Sequence, residues 1–381
     1  MSQRMVVISV LLLGLLAIEA QAQNDLNLQI HGFATQSFVY SGANNYLGMG
    51  TSSGTFGWTE AAINVNDTVT DKLRIGMQLH YTRLGNFGGE TPTVDWALGD
   101  YKVNERFGLR AGKVKIRWGL YNNEQDYDPG YLWSLLPESI YGIDFRSTNL
   151  SQLGIEAYGK IFMGKRFGSL LYSAYYGDYS YVAGEGETET FKEMGLNFKD
   201  PPGGKTPGFD LTWATPLSGL KIGGSLMMFD ASGNMTDGAY KQPLAFWPTY
   251  YAQYDRRNLF FSFQYVRLVE YQTVTINGSA PSTSDSDTSS WFAMVGYHVT
   301  KKLQVGGYYT RYTVAGADKS DPENYFHDWV ASSRYDVNAY LYGKLEAHFI
   351  DGNAIGFYNF NNPNGIARET NLLVAKLGFV F

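Results

Sequence analysis

The sequence contains no cysteine, so disulfide bonds and thiolate chemistry are excluded and non-covalent contacts must hold the fold together. Proline is scarce, at 12 of 381 residues, and only five histidines are present. The net charge of −6 lacks the strongly basic balance of nucleic-acid-binding proteins, so no nucleic-acid partner is expected. After residue 22, no apolar run reaches the roughly 20 residues that a transmembrane helix needs.

The first 22 residues have the pattern of an export signal. Arg4 supplies a positive charge, residues 6–17 form a short apolar core, and Ala20-Gln21-Ala22 is a small-x-small cleavage site. We therefore predict a cleaved signal peptide at 1–22, followed by a single domain at 23–381.

Aromatic residues and glycine are abundant instead. Aromatic side chains make up 16% of the chain, with 29 tyrosines, and there are 43 glycines. Segments 72–82, 291–299 and 340–350 alternate residue by residue between two faces, which is the period of a β-strand. Alternation over about ten residues, in a chain rich in aromatics, is typical of strands that cross a membrane as a barrel.

Turn-forming residues divide the chain into a regular rhythm. Seven short turns alternate with eight longer loops rich in Gly, Asn, Ser and Asp, and these fifteen connections join sixteen strands. The turns fall at 66–71, 104–106, 163–166, 215–219, 255–258, 300–302 and 336–338, and the loops at 41–54, 84–91, 119–149, 180–206, 232–243, 272–289, 315–327 and 352–367. The prediction is an all-β fold, a transmembrane antiparallel barrel of about sixteen strands, with 14 or 18 strands and an open soluble sandwich as alternatives.

Basic residues are expected to line the interior of this barrel. In the segment 113–118, Lys113, Lys115 and Arg117 alternate with Val114, Ile116 and Trp118. A cation facing lipid at mid-membrane costs about 2–4 kcal/mol, so we expect the apolar set outside and the basic set inside. Lys72 and Arg74 in the third strand should also face inward. Such charges either select solutes or simply keep the lumen wet.

The longest loop, 119–149, is unusually apolar for a surface segment and includes Tyr131-Leu132-Trp133-Ser134-Leu135-Leu136-Pro137. A loop of this length and composition is expected to fold into the lumen and narrow it. Packing over the mouth, or against a neighbouring subunit, is the alternative. We expect its acidic residues to face the basic wall: Glu124, Asp126, Asp128, Glu138 and Asp144.

Two segments resemble a known family. The alternating C-terminal strand ends on Phe381, which resembles the last strand of Gram-negative outer-membrane barrels, whose terminal Phe is read by the barrel-assembly machinery. Residues 109–120 resemble the R-x-G-K-x-K-x-P-F/W-G-L strand of the phosphate-selective and related substrate-selective porins, with Arg117 where that family usually has proline. The acidic third loop gives no reason to carry over a phosphate site.

The resemblance implies an outer-membrane homotrimer, surrounded by lipid and lipopolysaccharide, that lets small hydrophilic solutes diffuse passively. The basic residues of the wall favour anions, whereas the acidic loop and the net charge of −6 oppose that preference. An adhesin or structural anchor, or a barrel enzyme, is the alternative function. The five histidines, His31, His80, His298, His327 and His348, stand in no motif with Ser and Asp typical of a catalytic triad, so no enzyme is predicted. No residue spacing suggests a metal site, and no cofactor is expected.

Overall fold

The computed structural model describes residues 27–88 and 91–381, so the predicted signal peptide at 1–22 lies outside the described residues. The chain forms one closed antiparallel barrel of sixteen strands, in which β1 pairs with both β2 and β16. The strands are β1 Gln29–Ser41, β2 Thr55–Thr68, β3 Leu73–Leu84, β4 Thr93–Asn104, β5 Phe107–Lys115, β6 Ser151–Phe162, β7 Ser169–Ser180, β8 Gly203–Lys205 with Gly208–Ala214, β9 Leu220–Met235, β10 Gly238–Arg256, β11 Leu259–Ile276, β12 Ser282–His298, β13 Leu303–Val314, β14 Tyr325–Asp336, β15 Leu341–Asp351 and β16 Glu369–Val380. The predicted fold class is confirmed.

Strand β8 is interrupted once. Its two segments both pair with β7 and β9, and the break falls at Thr206-Pro207. Proline has no N–H to donate, so a ladder between two neighbouring strands is interrupted where it occurs. The two segments therefore count as one strand of the barrel.

Short turns and longer connections alternate along the chain, as predicted. All seven short turns join the expected strands, and the longer connections lie at the other end of the barrel. Two predicted loops, 232–243 and 272–289, are instead mostly strand, because β9–β10 and β11–β12 continue as paired hairpins as far as Met235↔Gly238 and Val274↔Ser282. Their Gly, Ser and Asp content resembles loop composition, but backbone pairing carries them beyond the rest of the wall.

The fourth connection contains a helix. Residues Gly186–Glu193 form α2, whereas Arg146–Leu150 at the end of the third connection form α1. The segment 191–198 contributes the end of α2 and a bridge between Phe198 and Met235. Among residues 27–88 and 91–381, no helix is long and apolar enough to cross a membrane.

The outer face of the barrel is apolar. Ile75, Met77 and Leu79 of β3 are exposed, whereas their neighbours Gln78 and His80 are buried. Exposed aromatic residues cluster near the short turns, as in the belts at the water–lipid interface of membrane barrels: Tyr101, Phe107, Phe162, Trp213, Tyr297, Tyr335 and Phe379.

The apolar core lies inside the barrel and is built around the third connection, residues 116–150. Tyr121 contacts the Ser262 hydroxyl of β11 at 2.9 Å, and the hydroxyl of Tyr308 on β13 donates to the Leu135 carbonyl at 3.2 Å. Trp133 also packs edge-on against Tyr308. The connection therefore crosses the lumen to the opposite wall and does not lie over the mouth.

Candidate functional site

The phase of β5 differs from the predicted one. Arg110 pairs with Asp100 of β4 and Glu156 of β6, with N–O distances of 3.1 and 2.9 Å, so even-numbered residues of β5 face inward. Val114 is accordingly fully buried. Ile116 and Trp118 follow the end of β5 and pack in the interior cluster. The prediction that Val114, Ile116 and Trp118 face lipid is wrong.

The lysine side chains of β5 reach polar partners although their Cβ atoms lie on the outward face. Lys113 stands opposite the exposed Leu153, and its ammonium reaches the Val94 carbonyl at 2.5 Å. Lys115 ends the strand, and its ammonium lies 2.6 Å from Asp126 of the third loop. A flexible four-carbon stem lets an ammonium find a partner away from the face on which its Cβ starts.

Four basic side chains line one cavity, called here the inner basic cavity: Arg74, Arg110, Lys115 and Arg117. Its volume is about 240 Å³, and Trp96 and Glu156 also line it. Glu156 accepts from Arg117 Nε at 3.1 Å as well as from Arg110. Arg74 lies one residue into β3 after a short turn, so the cavity belongs to the short-turn end of the barrel.

The other predicted basic residues lie apart from this cavity. Lys72 is exposed in the turn before β3, and Lys113 lines a separate cavity with His80 and Asp95. Arg110 was not predicted as a lining residue. A two-residue turn at 105–106 alone would place Ala111 opposite Asp100. A bulge between Lys102 and Asn104 shifts the register by one residue and brings Arg110 opposite Asp100, so turn length could not have identified Arg110.

The acidic residues of the third loop divide into different environments. Glu124 is exposed, whereas Asp126, Asp128, Glu138 and Asp144 are buried. Of these, Asp126 alone meets a base of the predicted wall, Lys115, and it also accepts from Gln78 and from Trp96 Nε1 at 3.0 and 3.1 Å. The loop acids therefore do not form one row facing the basic residues.

Asp128 contacts two lysines on the far wall. Its carboxylate lies 3.0 Å from Lys344 Nζ on β15 and 2.7 Å from Lys376 Nζ on β16, and it accepts from the Tyr342 hydroxyl at 2.6 Å. Burial alone would raise the pKa of Asp128, but the two ammonium groups outweigh it and hold the pKa well below its usual value. Lys344 and Lys376 were not predicted as site residues.

Glu138 and Asp144 lie near the long-loop end. Glu138 accepts from the Ile143 amide at 3.2 Å, and Asp144 accepts from the Tyr358 hydroxyl. Burial, and then the Asp144 carboxylate, raises the pKa of Glu138 well above its usual value. Burial raises the pKa of Asp144 to about 6, opposed by the Tyr358 hydrogen bond.

A larger cavity of about 460 Å³, called here the outer cavity, opens toward the long loops. Ile116 lines the outer cavity and its neighbour Arg117 lines the inner basic cavity. The start of the third loop therefore stands between two chambers of different chemistry.

The comparisons with known proteins concern the fold. No protein-family model matches the chain, and no curated protein matches its sequence. Solved outer-membrane proteins match nearly the whole structure. OmpF of Salmonella typhi in complex with daunomycin has a TM-score of 0.60 at 14% identity, over 93% of this chain and 97% of that one.

Two further structures extend the similarity. The trimer form of OmpT of Vibrio cholerae has a TM-score of 0.58 at 12% identity, over 93% of this chain and 99% of that one. The anion-selective porin of Comamonas acidovorans has a TM-score of 0.57 at 10% identity, over 94% and 100%. The chain has the sixteen-stranded fold of the outer-membrane porins.

Proposed function

We propose that the protein is a channel of the bacterial outer membrane, through which small hydrophilic solutes diffuse passively with a preference for anions. The proposal includes export by the 1–22 signal and assembly as a homotrimer among lipid and lipopolysaccharide. The inner basic cavity is the observation that carries it, since charged groups lining a water-filled wall are the main determinant of which solutes pass.

The charges of this cavity are arranged so that the basic groups meet solvent. The side chains of Arg74 and Arg117 are 56% and 35% exposed, whereas those of Asp100 and Glu156 are 8% and 2% exposed. The carboxylates thus lie behind the guanidinium groups and hold them in place. A solute in the cavity therefore meets a positive surface, although the ion pairs offset part of its charge.

The fold comparison supports the same reading at a coarser level. The Comamonas acidovorans porin is described as anion-selective, and OmpT of Vibrio cholerae was solved in a trimer form. The proposed anion preference and the homotrimer agree with these relatives. Oligomeric state is measured by light scattering with a detergent correction, where a monomer would contradict the homotrimer.

Planar-bilayer recording tests the channel itself. We expect stable ohmic steps from the purified protein, and a reversal potential in a KCl gradient that indicates anion preference. Absence of conductance from protein shown to be folded would contradict the channel and favour an adhesin or anchor. A cation-selective reversal potential would retain the channel and reject the role given to the inner basic cavity.

A further inference from the structure

The outer cavity is a built pocket that extends from the long-loop end down to the third loop. Its floor contains the buried Ile116 and Met227, and its mouth contains the exposed Met194, Ser284 and Asp285. A volume of about 460 Å³ lies in the range of pockets that hold small organic molecules. The pocket is therefore large enough for a ligand and open to the outside.

Aromatic rings form much of its wall. Tyr181 packs edge-on against Phe191 of α2, with ring centroids 5.2 Å apart, and Phe229 lies 6.0 Å from Trp247. Seven aromatic residues line the cavity: Phe145, Tyr179, Tyr181, Phe191, Phe229, Trp247 and Tyr312. Such rings offer apolar contact to the body of a ligand and attract a cation to their faces.

The charged groups of the wall are all acidic. Glu187 of α2, Glu270 of β11 and Asp285 of β12 line the cavity, and no lysine, arginine or histidine is found among its described lining residues. Within the described part of the chain, the Glu270 carboxylate accepts a single hydrogen bond, a long one of 3.4 Å from Gln272. The outer cavity is therefore opposite in charge to the inner basic cavity.

Buried polar groups of the wall have no hydrogen-bond partner among the described residues. The Thr206 hydroxyl is unpaired, although this residue is only 1% exposed. The Thr148 hydroxyl and Glu187 Oε2 lie near each other but make no hydrogen bond of normal geometry. Burial, and then the neighbouring Glu185, raises the pKa of Glu187 well above its usual value. Unpaired buried acceptors are costly, and a donor supplied by a ligand would remove that cost.

We propose that the outer cavity is a binding site for small organic cations, in which a primary ammonium lies between Glu187 and Glu270 and an aromatic body packs against the tyrosine and tryptophan rings. The ammonium supplies three donors and the compensating charge, and the two threonine hydroxyls can accept further bonds. The site lies on the long-loop side of the third connection, so binding there requires no passage of the cation through the barrel.

Calorimetric titration of the full-length mature protein in detergent at pH 7 tests this site without measuring current. The probe is phenethylamine, with 2-phenylethanol as the neutral analogue, 3-phenylpropionate as the anionic analogue and glucose as a polyol. We expect phenethylamine to bind at least about ten-fold more tightly than the other three, and higher salt to weaken its binding. Equal binding of the three aromatic probes, or preference for glucose or the anion, would overturn the proposal.

Matched variants locate the ligand. E187Q and E270Q keep the shape of the side chain and remove the carboxyl group that a bound ammonium would hold ionised, so each should weaken phenethylamine binding by about ten-fold. E189Q, on the same helix but outside the cavity, should leave binding unchanged. Binding that survives in the E187Q/E270Q double variant would reject the site. Cation binding by a barrel that fails to conduct would reject the proposed channel and retain this site.

Discussion

The Asp128 carboxylate accepts a hydrogen bond from Lys376 Nζ at 2.7 Å, joining the middle of the third loop to the last strand of the barrel. Lys376 is 3% exposed, and its ammonium also lies 3.8 Å from the ring centroid of Trp58 on β2. The loop leaves the wall at β5 and is fixed near the seam where β16 meets β1. This ion pair therefore fixes how far the loop extends into the lumen.

Removing this anchor should release the loop. D128N removes the counter-ion that the buried Lys344 and Lys376 share, and Lys376 keeps only Glu60, at 3.4 Å, among the described residues. Removing one partner of a buried ion pair costs about 3–5 kcal/mol. We expect the D128N barrel to unfold at a lower urea concentration, which is measured from the mobility of the folded and unfolded forms on unheated gels. We also expect its single-channel currents to be noisier. D318N, in an exposed loop between β13 and β14, is the matched control and should change neither. An unchanged midpoint in D128N would show that the ion pair does not hold the loop.

Deleting residues 122–140 should widen the pore. The segment supplies Asp126, Asp128, Trp133 and Leu136, which fill the lumen with polar anchors and apolar packing. Single-channel conductance should rise several-fold in the deletion variant. The mobility of the unheated deletion variant on a gel must first show that its barrel is folded, so that its conductance can be compared with that of the unchanged protein. A folded variant with unchanged conductance would mean that the loop does not form the constriction.

Charge removal in the inner basic cavity should shift ion selectivity. The double variant R74Q/R117Q removes the two most exposed guanidinium groups and leaves the Asp100 and Glu156 carboxylates in the wall. The reversal potential in a KCl gradient should move toward cation preference, and the shift should shrink at high salt because screening weakens it. K72Q removes a charge of the same sign from the exposed turn and should have little effect. Equal shifts in K72Q and R74Q/R117Q would indicate a general surface-charge effect.

The barrel, and the alternation of short turns with long loops, could be predicted because their sequence signals are local. Alternation over about ten residues marks several of the strands, and short turns are read from a few residues at each site. The β9–β10 extension could not be read this way, because the pairing of Met235 with Gly238 depends on two strands together and not on loop-like composition.

The candidate site was harder to predict than the barrel, because contacts between segments distant in the sequence form it. The third loop was predicted to enter the lumen from its apolar content, and it does. Its partner Lys376 lies 248 positions from Asp128 in the sequence, and nothing local connects the two. Similarly, the phase predicted for β5 is wrong, because the long Lys113 side chain reaches the Val94 carbonyl from a Cβ on the outward face.

The contact between the third and fourth loops should weaken as pH rises. The N-terminus of α2 packs on the third loop, where a Cβ at Gly186 would stand 2.8 Å from Asp144 Oδ2. Burial raises the pKa of Asp144 to about 6 and that of Glu185 to about 7. The docked loops therefore bind protons that separated loops release, so docking is strongest below the ordinary values of 3.8 and 4.5 and declines as pH rises through about 6–7.

Site-directed labelling can measure this loop contact, because the chain has no cysteine of its own. A spin label at A183C, an exposed position beside α2, should become more mobile between pH 4.5 and 8.5. Arg146, Glu138 and Glu187 also lie in this charged region, so the background variant D144N/E185Q is needed to assign the titration. The pH response should disappear in that background. A response that persists there would assign the titration to the other groups.

Phe381 should matter both for closing the barrel and for its assembly in cells. Its amide donates to the Gly32 carbonyl and its carbonyl accepts from the Gly32 amide, both at 3.0 Å, next to the first register pair of β1 and β16. A Cβ at Gly32 would stand 2.7 Å from both the Phe381 ring and the Ala62 carbonyl, so G32A should lower the urea midpoint of the refolded barrel. If Phe381 also serves as an assembly signal, its deletion should reduce the amount of folded barrel in the outer membrane more than G32A does. The loss of stability in each variant is first measured by urea unfolding of the barrel refolded in detergent. If the two variants lose equal stability and also give equal amounts of folded barrel in cells, Phe381 has only a structural role at the seam.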